Sequence, residues 1–299
     1  MLSDVLRHRV PGCEPGIELA LIEWPGSGPP ALLHHANGFC AALWAPIAER
    51  LAERFRVFAV DARGHGDSSK PLGDEAYRWT TMARDLVCVA DWVIERADAQ
   101  AIELGVGHSF GGTLTMAAAA ERDGLYRRAL LIDPVLLPAP GSTVPHAMAG
   151  GNPMAERARK RRHQWESRAE ARAFFAEKPL FESWPARALG IYLDEALADA
   201  AQGVELKCPG RVEAAIFNGG RLFDPHERAE KANLPIRIVR ATEGNFSLET
   251  YREIVAVLAQ GELTEIEGGH LVVMERPAAV VDAVFEFVGA DWAAPSPPR

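Results

Sequence analysis

Short apolar runs rich in branched residues recur along the chain and alternate with stretches of helical period. Leu19–Trp24, Ala31–His34, Arg56–Val60, Ile102–Val106, Ala129–Ile132, Ile236–Val239 and Leu263–Ile266 have the length and composition of strands. Between them, Trp44, Ile47, Ala48 and Leu51 fall at i, i+3, i+4 and i+7. The same spacing recurs in Tyr251, Ile254, Val255 and Leu258, and in Val281, Val284, Phe285 and Val288, so each set predicts a helix with one apolar face. Met82, Leu86, Val89, Ala90 and Val93 form a comparable stripe, with Thr80 or Thr81 as the expected cap, and Pro277 suits the first turn of the last helix. Strands joined by crossover helices predict an α/β fold with a mostly parallel central sheet and helices on both faces.

The rhythm breaks near Pro138. From there to Asn233, turn-formers such as Pro140-Gly141-Ser142 and Gly150-Gly151-Asn152-Pro153 give way to helical, aromatic-bearing stretches without convincing strands, and alternation resumes at Leu234-Pro235. The expectation is a core built from residues 1–137 and 234–299, with residues 138–233 inserted as a helical cap. The proline-rich end from Ala293 reads as a disordered tail.

Composition narrows the function classes. A net charge of −9 opposes a nucleic-acid partner. The chain has no apolar run able to span a bilayer and no secretory signal at its start, so a cytoplasmic protein without a membrane partner is expected. Cys13, Cys40, Cys88 and Cys208 have no paired spacing, which argues against a zinc site or a disulfide framework. No nucleotide motif stands in a strand–glycine loop–helix context, so no cofactor is expected. Oligomeric state, monomer or homodimer, is open at this level.

The chemistry concentrates in Gly107-His108-Ser109-Phe110-Gly111. It follows the strand ending at Val106 and precedes a small-residue helix, the context of a nucleophile elbow. A strand turning abruptly into a helix forces Ser109 into a strained backbone and leaves its flanking positions no room for side chains. A serine needs a base, and His270 stands late in the chain within Glu267-Gly268-Gly269-His270, after the final strand and before the terminal helix.

With these motifs, the chain from about Leu19 to Val288 resembles the α/β-hydrolase fold superfamily. Asp61-Ala62-Arg63-Gly64-His65-Gly66-Asp67-Ser68 resembles the turn after its fourth strand and reads as structural. His35-Ala36-Asn37-Gly38-Phe39 resembles the His-Gly loop after its third, with Asn37 in place of the usual histidine. The resemblance implies an oxyanion hole made by the backbone amides of Phe39 and Phe110. It leaves two candidate acids: Glu243, one residue ahead of the superfamily's usual aspartate position, and Asp133, just after the sixth strand. The Ala241-Thr242-Glu243-Gly244 stretch resembles haloalkane dehalogenases, one branch of which takes its acid from after the sixth strand, and Asp133 is placed ahead of Glu243. The nucleophile here is Ser109, not the aspartate of dehalogenases.

By the same resemblance, the insertion forms a lid whose aromatics, Trp165 and Trp184 among them, and Asn37 beside the site line a substrate pocket. The basic run from Arg157 to Arg168 reads as a solvated helix face, with a carboxylate-bearing substrate as the alternative. The implied activity is cofactor-independent hydrolysis of small, largely apolar esters or related acyl compounds through an acyl-enzyme on Ser109. Carbon–carbon bond hydrolysis, acyl transfer and peracid formation use the same triad in similar proteins, and a ligand receptor with little turnover is the reading from another class.

Overall fold

In the computed structural model, residues 2, 4–136 and 152–289 are described. The chain opens with an antiparallel pair, β1 (Leu6–Pro11) and β2 (Glu18–Trp24), followed by β3 (Pro30–His34), α1 (Ala45–Leu51) and β4 (Arg56–Val60). Next come α2 (Trp79–Arg96), β5 (Ile102–His108), α3 (Phe110–Glu121) and β6 (Tyr126–Ile132). After β6 the chain leaves the sheet for α4 (Pro153–Lys160), β7 (Gln164–Trp165), α5 (Arg168–Ala176), α6 (Ala186–Glu195), β8 (Leu197–Asp199), β9 (Val204–Leu206) and α7 (Gly210–Gly219). It returns through α8 (Pro225–Lys231), β10 (Pro235–Glu243), α9 (Leu248–Val257), β11 (Gln260–Gly269), α10 (Val272–Glu275) and α11 (Pro277–Val288).

The main sheet has the order β1-β2-β4-β3-β5-β6-β10-β11; it is antiparallel at the β1/β2 and β2/β4 pairings and parallel elsewhere. The seven strands expected from the apolar runs are all present. β1 is the addition: its exposed polar positions hide it in the sequence, and only pairing with β2 makes it a strand. Successive strand residues enter opposite cores, as the two-residue period requires. Leu33 faces the layer of α1 and α11, whereas Leu32 faces that of α2, α3 and α9.

Two local expectations are corrected. α2 begins at Trp79 with Arg78 as its unbonded N-cap, so neither Thr80 nor Thr81 caps it; both lie within its first turn. The insertion also contains a three-stranded antiparallel sheet, β7-β9-β8, whose two- and three-residue strands are too short to show a period. Pro277 does occupy the first turn of α11. The stretch from Pro138 to Gly151 and the tail from Ala293 lie outside the described residues. Insertion and core meet through specific bonds: Trp79 Nε1 donates to the Ile216 carbonyl at 2.8 Å, and Lys207 pairs with Asp67 at 2.7 Å. α8 packs on α3 and α9 of the core.

Candidate active site

Ser109 sits at the junction of β5 and α3 with φ 56° and ψ −125°, a conformation costing a non-glycine residue about 1–3 kcal/mol. Its amide donates to the Ile132 carbonyl at 2.8 Å, and its carbonyl accepts from Val135 at 3.3 Å, so β6 and the turn beyond it hold the strained residue in place. The flanking glycines are required by contact. A Cβ on Gly107 would enter the backbone of Gly111 and Gly112, and one on Gly111 would enter His34. Ser109 is 6% exposed.

His270 follows β11, and the sheet order brings that strand's end beside β10 and β6. Its Nε2 lies 2.8 Å from Ser109 Oγ and its Nδ1 lies 2.5 Å from Asp133 Oδ2. Asp133 is fully buried, just past β6, with φ 40°. Oδ1 accepts from the Ala241 amide at 3.0 Å and the Tyr251 hydroxyl at 2.7 Å. Burial alone would raise the Asp133 pKa, but the bonds from His270, Tyr251 and Ala241 outweigh it and hold the carboxyl below its ordinary range. Tyr251, on α9, was not singled out in the sequence, where its place in an apolar stripe conceals a hydroxyl directed at the carboxylate.

Glu243 is exposed at the end of β10, and the Nδ1 of His270 is already engaged by Asp133. Gly244, where the superfamily usually carries its aspartate, explains the arrangement physically. A Cβ there would come within 2.6 Å of both Asp133 oxygens. The space for a side chain at 244 is therefore filled by the carboxylate arriving from β6.

Of the two amides implied for the oxyanion hole, that of Phe110 opens α3 and has no partner within the helix. That of Phe39 donates to the Ala36 carbonyl at 3.2 Å, closing a four-residue turn with Gly38 at φ 85°. The loop is braced from two sides. The Gly38 amide donates to His65 Nε2 at 2.9 Å, and Asn37 Nδ2 donates to the Glu213 carbonyl at 3.0 Å, so Asn37 links the loop to the insertion. Burial, reinforced by the nearby His35, drives the His65 pKa well down, so the ring is neutral and its Nε2 accepts. The Arg63–Ser68 turn, read as structural, thus supports the loop through His65. It is anchored by Arg63 on Asp85, with nitrogen–oxygen distances of 2.8 and 2.9 Å.

His108 is fully buried in front of Ser109, and its Nε2 donates to the His270 carbonyl at 2.7 Å. Burial, then the neighbouring His270 charge, depresses its pKa to about 3, so it stays a neutral donor. Trp184 packs against Phe39 with ring centroids 5.8 Å apart, whereas Trp165 lies against Phe174 and Phe175 in the insertion's own core. Among the described residues, no cluster of histidine, cysteine or acidic groups has the makings of a metal site. Among those residues, no helix is long and apolar enough to cross a membrane.

An uncharacterised protein of Mycobacterium tuberculosis is 39% identical over 108 residues, 36% of this chain and 29% of its own. The 2-(acetamidomethylene)succinate hydrolase of Mesorhizobium japonicum is 36% identical over 108 residues, 36% of each chain. The aligned stretch thus covers 29% and 36% of these curated relatives' own lengths. The crystal structure of E-2-(acetamidomethylene)succinate hydrolase is similar at a TM-score of 0.78 and 23% identity, over 95% of this chain and 99% of its own, a likeness of fold. A model of the alpha/beta hydrolase family matches residues 31–283, across the elbow, the buried aspartate and the late histidine alike, and the chain belongs to that family.

Proposed function

We propose that the protein is a cofactor-independent serine hydrolase of small acyl compounds, esters foremost, acting through an acyl-enzyme on Ser109. The observation that carries this reading is the continuous line from Ser109 Oγ to His270 Nε2 at 2.8 Å and from His270 Nδ1 to Asp133 at 2.5 Å. His270 takes the Ser109 proton as Oγ attacks the acyl carbon. Asp133, with no proton to give, orients the ring and stabilises the imidazolium. The Phe110 amide, joined by that of Phe39 when it turns from Ala36, carries the negative charge of the tetrahedral intermediate. Collapse of the intermediate breaks the bond to the leaving group, which takes the proton from His270. Water then attacks the acyl-enzyme with His270 again as base and releases the acid. The Mesorhizobium relative is named for a substrate containing an acetamido group, which supports trying amides beside esters as acyl substrates.

The test is p-nitrophenol release from short-chain p-nitrophenyl esters, with a fluorophosphonate probe located by mass spectrometry. Wild type should turn over and carry the probe on Ser109. Ser109→Ala should lose about four to six orders of magnitude in kcat and all labelling while keeping its fold. An accessible Ser109 that takes no probe would overturn the reading.

A further inference from the structure

Six cations stand between Arg157 and Arg168. Arg157, Arg159, Lys160, Arg162 and Arg168 are exposed, and three of them pair with surface carboxylates: Arg159 with Glu156, Arg162 with Glu170 and Arg168 with Asp199. Arg161 differs. The backbone turns extended there, at the end of α4, and its side chain points inward, 25% exposed against 42–43% for the three paired neighbours. Its guanidinium lies directly over the loop that carries Phe39, since a Cβ on Gly38 would come within 3.5 Å of Arg161 Nη1.

Arg161 Nη1 bonds to Glu213, and Nη2 donates to the Tyr192 hydroxyl at 3.3 Å, so that among the described residues three of the guanidinium's five N–H groups are left for other acceptors. The Tyr192 hydroxyl accepts that bond and still carries its own proton, because burial pushes the phenol up to about 12. Trp184 holds a buried indole N–H that has no partner among the described residues. Tyr192 and Trp184 both pack on Phe39, with ring centroids 6.0 and 5.8 Å away. A purely hydrocarbon acyl chain would leave these donors unspent, a loss that a ligand supplying acceptor oxygens avoids.

We propose that Arg161 and Tyr192 form an anion subsite beside the oxyanion loop that takes a carboxylate carried on the acyl part of the substrate. The inference rests on the hydrolase reading for its place in turnover, but the binding it describes does not require Ser109 to react. Glu213 is the resident counter-ion that holds the guanidinium inward, and the substrate carboxylate meets the remaining edge of the fork together with the Tyr192 O–H. Because Glu213 repels the incoming charge, the preference is set by one charge-assisted bond and not by a full ion pair.

The experiment compares kcat/KM for ethyl hydrogen succinate and ethyl succinamate, which differ in one charge at nearly constant shape. Wild type should favour the anion by at least about tenfold, the worth of a single charged hydrogen bond. Arg161→Met should bring the ratio towards one and Tyr192→Phe should lower it in part, whatever change the two esters share. A wild-type ratio of one or less, or a ratio unmoved by Arg161→Met, would overturn the subsite. Should neither ester turn over, calorimetry of succinate with Ser109→Ala protein separates the two readings. Binding weakened by an added Arg161→Met supports the subsite, and no binding, or binding that Arg161→Met leaves unmoved, overturns it, while labelling of Ser109 by the fluorophosphonate probe decides the hydrolase reading separately.

Discussion

At the scale of single residues, the site depends on which group faces which nitrogen of His270. With Asp133 on Nδ1 and Ser109 on Nε2, Asp133→Asn should lower kcat by about four orders of magnitude, because an amide favours the wrong tautomer of the ring. Glu243→Gln, on an exposed side chain, should stay within about twofold, as a surface change does. Steady-state kinetics on p-nitrophenyl butyrate decides between them; the reverse order would move the acid to β10. The same carboxylate carries a pH signature. Its pKa lies below that of an unfolded aspartate, so the stability it contributes is fully present above the unfolded value of about 3.9 and is lost as pH falls through the lower native value. Urea melts of wild type and Asp133→Asn should therefore differ most at neutral pH and converge in strong acid.

At the scale of elements, the ends of β5, β6, β10 and β11 are packed side by side, and their tolerances are set by close approach. Gly244, just past β10, has no room for a methyl group beside the Asp133 carboxylate. Gly244→Ala should displace Asp133, cost about 1–3 kcal/mol of stability and reduce kcat together with it. A thermal melt alongside the kinetics checks this, and an unperturbed variant would mean the carboxylate is not held where it is seen. The helical stripes and most strands were legible because apolar period survives in any context. β1 and the three short strands of the insertion were not, since their pairing partners define them rather than their composition.

At the scale of the whole molecule, buried charge ties the β1–β2 edge to α2 and to the loop beneath the site. Arg63 is completely buried, and its fork is met by Asp85, which also accepts from the Cys13 amide at 2.9 Å. Asp85→Ala strands much of that positive charge inside and should destabilise the protein by about 3–5 kcal/mol in urea unfolding, far more than loss of any surface pair such as Arg159–Glu156. A small effect there would show the pair to be dispensable. The sequence by itself determined the alternation of strands and helices, the place of the insertion, and the glycine-framed Ser109 with its late histidine, because each is written in local period or in short spacings. Only the tertiary structure decided that Asp133 and not Glu243 meets His270, that Asn37 reaches into the insertion, and that one arginine of a basic run turns inward. Those outcomes depend on which strand ends lie side by side and how much space is left between them, and neither can be read from residues more than a hundred positions apart.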